Sequence, residues 1–501
     1  MAISTYAAIA IGSSELSMKI YEISKTKGIR ELSHIRHTLT LGSETYSKGL
    51  ISYQTTEELC STLNNFKRIM AEYGVRDSRV CGTSGLREAA NSLVVIDQIK
   101  IQTGFNVRIL SNSEARFLYY KALALKEENF ESLIQDGTLI IDIGAGSIQL
   151  SLFHQGRLCV TQNLLLGSSR IQELLQVMEE EAYDFHDLID EYIEKDLSSF
   201  VKLYLDSIQI KSIIAIGGMI PEIYYEMNNK WDVSKCSKML HKSKFLKELD
   251  ATHARQMAPT ILLCRKISQL TNCPHIHFSN INFCDGIAAD YAEKKYKLLS
   301  SHDFTKDIIS ASENIARKYK VDMEHIENVQ TLALQIFDKI RKLHGLGKRE
   351  RLLLQISVIL HSSGEYIDAI ESRECSYRII MSTEIMGLSH KERVMVAHIV
   401  RYNSTSVPPK EALNEDFSDE EYITLVKLNA ILRTANVLDK SNRHKIKNVG
   451  VSLKDGVMTI TADTMADITL EKGLFHRKAD IFQEIFGIRP CIRQKRSGKR
   501  N

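Results

Sequence analysis

Residues 139–153 read LIIDIGAGSIQLSLF, and this stretch decides the fold. The apolar run at 139–143 indicates a buried strand, the glycine-rich segment at 144–147 indicates a turn, and the alternation that follows indicates a second strand. A similar pattern stands near the N-terminus, where residues 9–18 read IAIGSSELSM. The chain therefore contains an internal repeat of one strand–turn–strand unit.

The repeat has a chemical meaning if the two units face each other, because two glycine-rich turns then lie across one cleft. Turns of this kind expose backbone N–H groups, and glycine lets an anion approach them closely. The pattern thus favours a phosphate-binding cleft, although two ordinary hairpins would show the same residues.

The rest of the chain divides into an α/β half and a helical half. Apolar runs alternate with amphipathic stretches up to about residue 300, which is typical of an α/β domain. Helical spacing dominates from about 304 to 440, and a hairpin with Asp-Gly at 455–456 and a helix near 477–486 follow. The predicted strands of the first half lie at 6–11, 79–81, 107–110, 139–143 and 213–216.

Composition excludes several classes of protein. The 501 residues include 65 Lys and Arg against 62 Asp and Glu, a net charge of +3, which argues against specific nucleic-acid binding. No run approaches 18 apolar residues, so we expect no membrane span, and residues 1–15 indicate a strand rather than a signal peptide. Nine scattered cysteines, an odd number, favour a cytoplasmic protein.

Several motifs, taken in order, resemble a known family. The most specific are TSGLREA at 83–89, SEAR at 113–116 and IDIGAGS at 141–147. Their order and spacing resemble the exopolyphosphatase / guanosine pentaphosphate phosphohydrolase (Ppx/GppA) family. Supporting segments are LGSETYSKGLIS at 41–52, IIAIGGMI at 213–220, NFCDGIAADYA at 282–292, SVILHSSGEYI at 357–367, VAHIVRYN at 396–403 and FQEIFGIRPCIR at 482–493.

The resemblance implies a fold and an assembly. The implied class is α/β, with two actin-like (ribonuclease H-like) domains followed by an all-α HD-like domain and a small α+β C-terminal domain with a basic tail. We expect the active site between the actin-like domains, and we expect a homodimer. The expected domains are 1–125, 126–300, 301–445 and 446–501.

The resemblance also implies a reaction, which is hydrolysis of a phosphoanhydride with Mg²⁺ as cofactor. The implied substrate is the terminal phosphate of inorganic polyphosphate or the 5′ γ-phosphate of guanosine pentaphosphate, with guanosine tetraphosphate as a related ligand. The sequence leaves these substrates open.

Site residues carry over from the matching motifs. Glu114 is the implied catalytic carboxylate that orients and deprotonates water, although the helix dipole also favours a first-turn glutamate. Arg87 is the implied phosphate clamp, with a solvated surface arginine as the alternative. Asp142, at the end of a buried strand, is the expected Mg²⁺ ligand. The expected phosphate-binding residues are Gly12, Ser13, Ser14, Gly144, Ala145, Gly146, Ser147, Gly217 and Gly218.

Two positions depart from the family pattern. Ala10 stands where the family usually has aspartate, and Gln149 stands at a catalytic position that is usually glutamate. Alanine cannot ligate a metal, and glutamine can orient water but cannot take a proton at neutral pH. We therefore expect weak Mg²⁺ binding and slow turnover.

Three functional hypotheses follow. The first is an exopolyphosphatase-like hydrolase of reduced activity. The second is a catalytically degenerate homologue that binds polyphosphate or guanosine alarmones as a sensor. The third, a kinase of the same superfamily, is disfavoured because no adenosine-binding glycine run is evident beyond 217–218.

The helical domain resembles an HD phosphohydrolase domain without its metal pair. The usual His-Asp pair is here His361 followed by Ser362, and Asp439 survives in TANVLD. One histidine and one distant aspartate make a poor metal site, so we expect no second active site. The basic tail from Arg489 onward is either a solvated terminus or a polyanion-binding segment.

Overall fold

The computed structural model describes residues 4–127, 129–205, 208–227, 251–298, 302–413, 415–447, 449–454 and 456–495. The chain forms two compact units, Met1–Asp307 and Ile308–Asn501. The predicted boundaries near 125 and 445 therefore fall inside compact units. Residues 299–301, next to the predicted boundary at 300, and the last six residues of the basic tail lie outside the described residues.

The first unit begins with a five-stranded sheet in the order β3-β2-β1-β4-β5. β1, β2 and β3 are antiparallel, whereas β4 and β5 run parallel to β1. The strands are β1 (Ser4–Ile11), β2 (Glu15–Ser24), β3 (Gly28–Thr38), β4 (Asp77–Gly82) and β5 (Val107–Ile109). The helices up to the second sheet are α1 (Leu41–Lys48), α2 (Tyr53–Glu72), α3 (Ser84–Arg87), α4 (Ser92–Thr103), α5 (Asn112–Lys126) and α6 (Phe130–Leu133).

The second sheet repeats the first, because its order is β8-β7-β6-β9-β10 with the same strand directions. The strands are β6 (Thr138–Ile143), β7 (Ile148–His154), β8 (Arg157–Leu164), β9 (Ser212–Ile216) and β10 (Ile276–Phe278). The further helices are α7 (Ser168–Leu175), α8 (Phe185–Tyr204), α9 (Ile220–Met227), α10 (Ala251–Leu270) and α11 (Phe283–Tyr296). This shared topology confirms the predicted repeat and the actin-like character of the first half.

The register of the two hairpins shows which residues of the two sheets occupy equivalent positions. Ala10 of β1 pairs with Ser17 of β2, and Asp142 of β6 pairs with Gln149 of β7. Each pair lies directly before a glycine-containing turn, so Ala10 and Asp142 occupy equivalent positions in the two sheets.

The helix α11 follows the second sheet in sequence but packs on the first. Its residues Phe283, Cys284 and Ile287 share a hydrophobic cluster with Tyr6 and Ala8 of β1. A buried ion pair joins Lys19 Nζ to Asp285 at 3.2 Å, and Tyr21 donates to the same carboxylate at 2.9 Å. Hydrophobic spacing predicts that such a segment is helical, but it does not tell which sheet the helix covers.

The second unit is helical and ends in a small sheet. One hydrophobic core runs through it, from Ile308 on the first helix to Phe482 on the last. β12 pairs antiparallel with β11 and parallel with β13. The elements are α12 (Phe304–Lys318), α13 (Met323–Lys339), α14 (Arg341–His344), α15 (Lys348–Leu360), α16 (Ser372–Ser382), α17 (His390–Arg401), α18 (Asp419–Val437), β11 (Val449–Lys454), β12 (Val457–Asp463), α19 (Thr469–Phe486) and β13 (Arg489–Lys495).

Candidate active site

The two repeated turns line one cleft of about 130 Å³ in the first unit. Gly12, Ser13 and Ser14 lie on one side, 144–147 lie on the other, and the loop at 217–218 also lines the cleft. The structure thus brings together all nine residues that were predicted to bind phosphate.

The two turns have the same construction. The amide N of Gly12 donates to the carbonyl of Glu15 at 2.9 Å, and Gly144 donates to Ser147 at 3.0 Å. Within the described residues, the amide N–H groups at positions 13, 14, 145 and 146 have no backbone or side-chain acceptor. Each turn therefore offers two free N–H donors at the cleft, which is the arrangement that binds an anion.

Close packing around Ser13 explains two further motifs. A Cβ at Gly42 would lie 2.5 Å from the Ser13 Cβ, and a Cβ at Gly85 would lie 2.9 Å from the Ser13 Oγ. The Ser13 hydroxyl lies 2.7 Å from the Tyr46 hydroxyl and 3.3 Å from that of Ser84. The glycines of LGSETYS and TSGLREA thus let α1 and α3 pack directly against the first turn.

The loop after β9 packs against the end of β6. Gly217 and Gly218 have φ values of 83° and 42°, in the left-handed region that favours glycine. A Cβ at Gly217 would collide with Oδ1 of Asp142, and a Cβ at Gly218 would collide with the carbonyl of Ile143. These glycines are therefore needed for packing, whether or not they contact a ligand.

Asp142 does not line the cleft, because its side chain is fully buried. Its Oδ2 forms an ion pair with Nη1 of Arg116, and its Oδ1 has no hydrogen-bond partner. Burial raises the pKa of the Asp142 carboxyl, whereas the Arg116 guanidinium acts in the opposite direction. Arg116 itself lines the cleft and places a guanidinium between Asp142 and any ligand.

Glu114 also lies outside the set of cleft-lining residues. Its Oε2 accepts hydrogen bonds at 3.0 Å from the backbone N and the hydroxyl of Ser111, which forms a capping box at the start of α5. Its Oε1 forms an ion pair with Arg108 at 2.6 Å. Its catalytic role stays a prediction, and it requires the carboxylate to leave these partners.

The two departing positions differ in location. Ala10 lines the cleft, whereas Gln149 is buried behind it. Gln149 donates from Nε2 to Thr161 Oγ1, and its Oε1 has no partner. A water-positioning role for Gln149 therefore stays a prediction. The contact with Thr161 does not favour it, because it holds the side chain away from the cleft lining.

Arginines dominate the charge at the cleft. Arg36, Arg87 and Arg116 line it, whereas Glu15 is the one carboxylate among the described lining residues. Arg87 donates to the Leu110 carbonyl at 2.7 Å and to Asn112 Oδ1 at 2.6 Å, so it also ties α3 to the start of α5. Arg87 lines the cleft, and its clamping role stays a prediction.

Arg36 is held by acids on two elements. Its Nε lies 2.9 Å from Glu15, and its Nη2 lies 2.6 Å from Glu222. These pairs fix the guanidinium at the edge of the cleft, and they occupy the only carboxylate that lines it among the described residues.

The residues present do not fit a Mg²⁺ ion at Asp142. One carboxylate oxygen is occupied by Arg116, and the symmetry-related position is Ala10, which has no ligand atom. No group of three or more His, Cys, Asp or Glu side chains in the described part of the chain could hold a metal ion. The role of Mg²⁺ as a cofactor therefore stays a prediction.

Two family models match this chain. The model described as "Ppx/GppA phosphatase family" matches residues 19–272, and the one described as "Ppx/GppA phosphatase, domain III" matches residues 309–479. The chain belongs to the Ppx/GppA phosphatase family.

Similar proteins include exopolyphosphatases and guanosine-5'-triphosphate,3'-diphosphate pyrophosphatases. Exopolyphosphatase 1 of Mycobacterium leprae is 25% identical over 161 residues, which are 32% of this chain and 46% of that protein. The chain thus matches less than half the length of this relative. A guanosine-5'-triphosphate,3'-diphosphate pyrophosphatase of Photobacterium profundum is 20% identical over 446 residues, covering 85% and 86% of the two chains.

Among solved structures, an exopolyphosphatase from Cytophaga hutchinsonii matches with a TM-score of 0.49 and 18% identity. That match covers 58% of this chain and 98% of the solved one. In the described part of this Ppx/GppA chain, every helix is too short or too polar to cross a membrane.

In the second unit of this Ppx/GppA chain, His361 and Asp439 lie in one polar cluster, but they have different hydrogen-bond partners. Asp439 Oδ2 accepts from His325 Nδ1 and from His444 Nδ1, both at 2.9 Å. His361 Nδ1 instead donates to the carbonyl of Val358 at 2.7 Å. The acid of the predicted metal remnant is therefore hydrogen-bonded to two histidines, and the absence of a second active site stays a prediction.

The burial of His361 predicts a pH dependence of stability. Burial lowers its pKa from 6.5 to about 4, and His325 and Lys440 act in the same direction. Between pH 6.5 and pH 4, His361 is protonated in the unfolded chain but neutral in the folded chain. The contribution of His361 to the free energy of unfolding is therefore complete above pH 6.5 and is lost as the pH falls. By pH 4 the free energy of unfolding is lower by about 3 kcal/mol through this linkage.

We expect His361→Asn to flatten the fall in unfolding free energy between pH 7 and pH 4.5, measured by urea denaturation of the full chain. His476→Asn, on exposed α19 surface, is the matched control and should leave the slope unchanged. Equal slopes in the wild type and in His361→Asn would contradict the prediction.

Several residues of the site are not evident from sequence. Tyr46, Ser84 and Arg116 all stand inside motifs that match the family, but spacing alone assigns them no contact. The capping-box pattern, Ser111 followed three residues later by Glu114, is a visible signal for the observed direction of Glu114.

Proposed function

We propose that the chain is a phosphoanhydride hydrolase that releases terminal phosphate from inorganic polyphosphate or guanosine pentaphosphate at a reduced rate. The observation that carries this proposal is the pair of turns whose free N–H groups at 13, 14, 145 and 146 line one cleft. Family membership supports the same chemistry.

In this proposal the two turns and the arginines bind the terminal phosphoryl group. Backbone N–H donors and guanidinium groups stabilise the charge on phosphoryl oxygens as the bridging P–O bond breaks. Water attacks in line with the leaving oxygen, and Glu114 would accept its proton after leaving the capping box. The reduced rate follows from the lack of a free carboxylate at the cleft among the described residues.

Binding without turnover is the second candidate. The observations that favour it are the ion pair that covers Asp142 and the capping-box role of Glu114. In that case the cleft retains anion affinity, whereas no group is positioned to activate water.

Phosphate release from tripolyphosphate and from guanosine pentaphosphate, with Glu114→Gln as the test variant, separates these candidates. If Glu114 is the base, the variant should lose about 10²–10⁴-fold in rate. If Glu114 only caps α5, the rate stays constant, because the amide oxygen of glutamine can also accept the hydrogen bond that completes the capping box. Multiple turnovers of the wild type exclude the binding-only candidate.

The matched control is Glu421→Gln, because Glu421 forms the same capping box with Ser418 at the start of α18 in the second unit. This variant should leave phosphate release unchanged. A rate loss in both variants would contradict a role of Glu114 in catalysis.

Cytoplasmic location, the homodimer and guanosine tetraphosphate as a ligand belong to the same proposal. They are consistent with family membership, and each needs its own measurement.

A further inference from the structure

Four basic side chains gather around one turn of the second unit, residues 403–405 after α17. Lys478 of α19 donates from Nζ to a backbone carbonyl of this turn at 2.8 Å. Arg373 of α16 donates to a hydroxyl of the turn, and Arg433 of α18 donates to a second carbonyl. Lys440, three residues after α18, lies close enough to affect the titration of Lys478.

These four cations have no acidic partner among the residues that the structure describes. In the part of the chain that the structure describes, no carboxylate oxygen lies within 4.0 Å of any of them. Burial lowers the pKa of Lys478, and the charges of Arg433, Arg373 and Lys440 act in the same direction. Buried or clustered like charges destabilise a fold unless a counter-charge is present. A bound anion would supply the missing counter-charge and relieve this repulsion.

Arg433 is the most buried member of the cluster. Only 5% of it is exposed, burial alone lowers its pKa, and its Nε has no hydrogen-bond partner. A guanidinium in this state has donor capacity that the folded chain does not use.

A cavity of about 280 Å³ lies beside the cluster. Arg373 and Lys440 line it together with Asn403 and Ser404. Asn403 is 8% exposed, and its Oδ1 has no partner. Since an amide can turn by 180° to present its NH₂ group, Asn403 can also donate to a ligand in the cavity.

We propose that this cluster binds a compact phosphorylated anion, of the size of inorganic pyrophosphate or a phosphate ester. Guanidinium forks and lysine ammonium groups are the side chains that bind phosphate oxygens. Asp322 and Glu365 line the same cavity, and their charge disfavours a long polyanion that would fill it. The site lies wholly in the second unit and does not depend on the function proposed for the first.

The test is titration of the full chain with inorganic pyrophosphate by calorimetry, in the wild type and in Arg373→Gln/Lys440→Gln. We expect the double variant to bind one pyrophosphate fewer per chain, because its affinity at this site falls about 10- to 100-fold. Sulfate and GTP, titrated in parallel, distinguish a general oxyanion from a nucleotide as the ligand. If the cleft of the first unit does not bind pyrophosphate, the wild type still binds one pyrophosphate per chain and the double variant binds none. The proposal for the cleft and the proposal for this cluster can therefore fail independently.

Thermal unfolding gives a second readout. Without phosphate, Lys478→Gln should melt at a higher temperature than the wild type, because a repelling charge is removed. With pyrophosphate, the wild type should gain more stability than the double variant. Arg378→Gln is the matched control, because this exposed arginine of α16 pairs with Glu374.

Equal stoichiometry in the wild type and the double variant would overturn the proposal, as would a loss of binding in Arg378→Gln. Equal stabilisation of wild type and double variant by pyrophosphate would overturn it as well.

Discussion

Replacing Arg116 with methionine is expected to lower the unfolding free energy of the first unit by about 3–5 kcal/mol. The variant leaves Asp142 fully buried with neither carboxylate oxygen paired, since Oδ1 already has no partner. Differential scanning calorimetry of the full chain measures the change, because the two units can unfold in separate transitions.

The control for this prediction is the double variant Arg116→Met/Asp142→Asn. It removes the charge together with its partner, so it should recover most of the lost stability. If the single and double variants unfold alike, the ion pair is not what stabilises the end of β6.

Restoring a carboxylate at position 10 is expected to raise Mg²⁺-dependent phosphate release by about 10²-fold. Ala10 lines the cleft and is equivalent to Asp142, whose own carboxylate is buried and paired with Arg116. An aspartate at position 10 would therefore place at the cleft a carboxylate that a metal ion or a metal-bound water can reach. Gln149→Glu alone should give no gain, because Gln149 lies behind the cleft and its replacement buries a charge.

Ala115→Asp is the matched control, because Ala115 also lines the cleft and has the same 6% exposure as Ala10. Phosphate release from tripolyphosphate with and without Mg²⁺ is the measurement. An equal gain in Ala115→Asp would show that any added acid suffices. No gain in Ala10→Asp, with tripolyphosphate still bound, would contradict the equivalence of the two sheets.

The repeat at 9–18 and 139–153 was enough to predict two related strand–turn–strand units and the seven turn residues that line the cleft, whereas Gly217 and Gly218 came from the family resemblance. Local patterns suffice there because each strand–turn–strand unit is continuous in sequence. The placement of Arg116 against Asp142 was not predictable, because it joins a helix after the first sheet to a strand of the second. For Glu114, the local capping pattern decided the side-chain direction, whereas its motif alone pointed to the cleft.

The return of α11 to the first sheet also affects how the protein is made. Residues 283–296 cover Tyr6 and Ala8, so part of one apolar face of the N-terminal sheet lacks its cover until almost three hundred residues have been synthesised, although α5 already contributes to the same cluster. Exposed apolar surface on a nascent chain promotes aggregation and chaperone binding. The first sheet is therefore synthesised first but completed late, after the second sheet has been made.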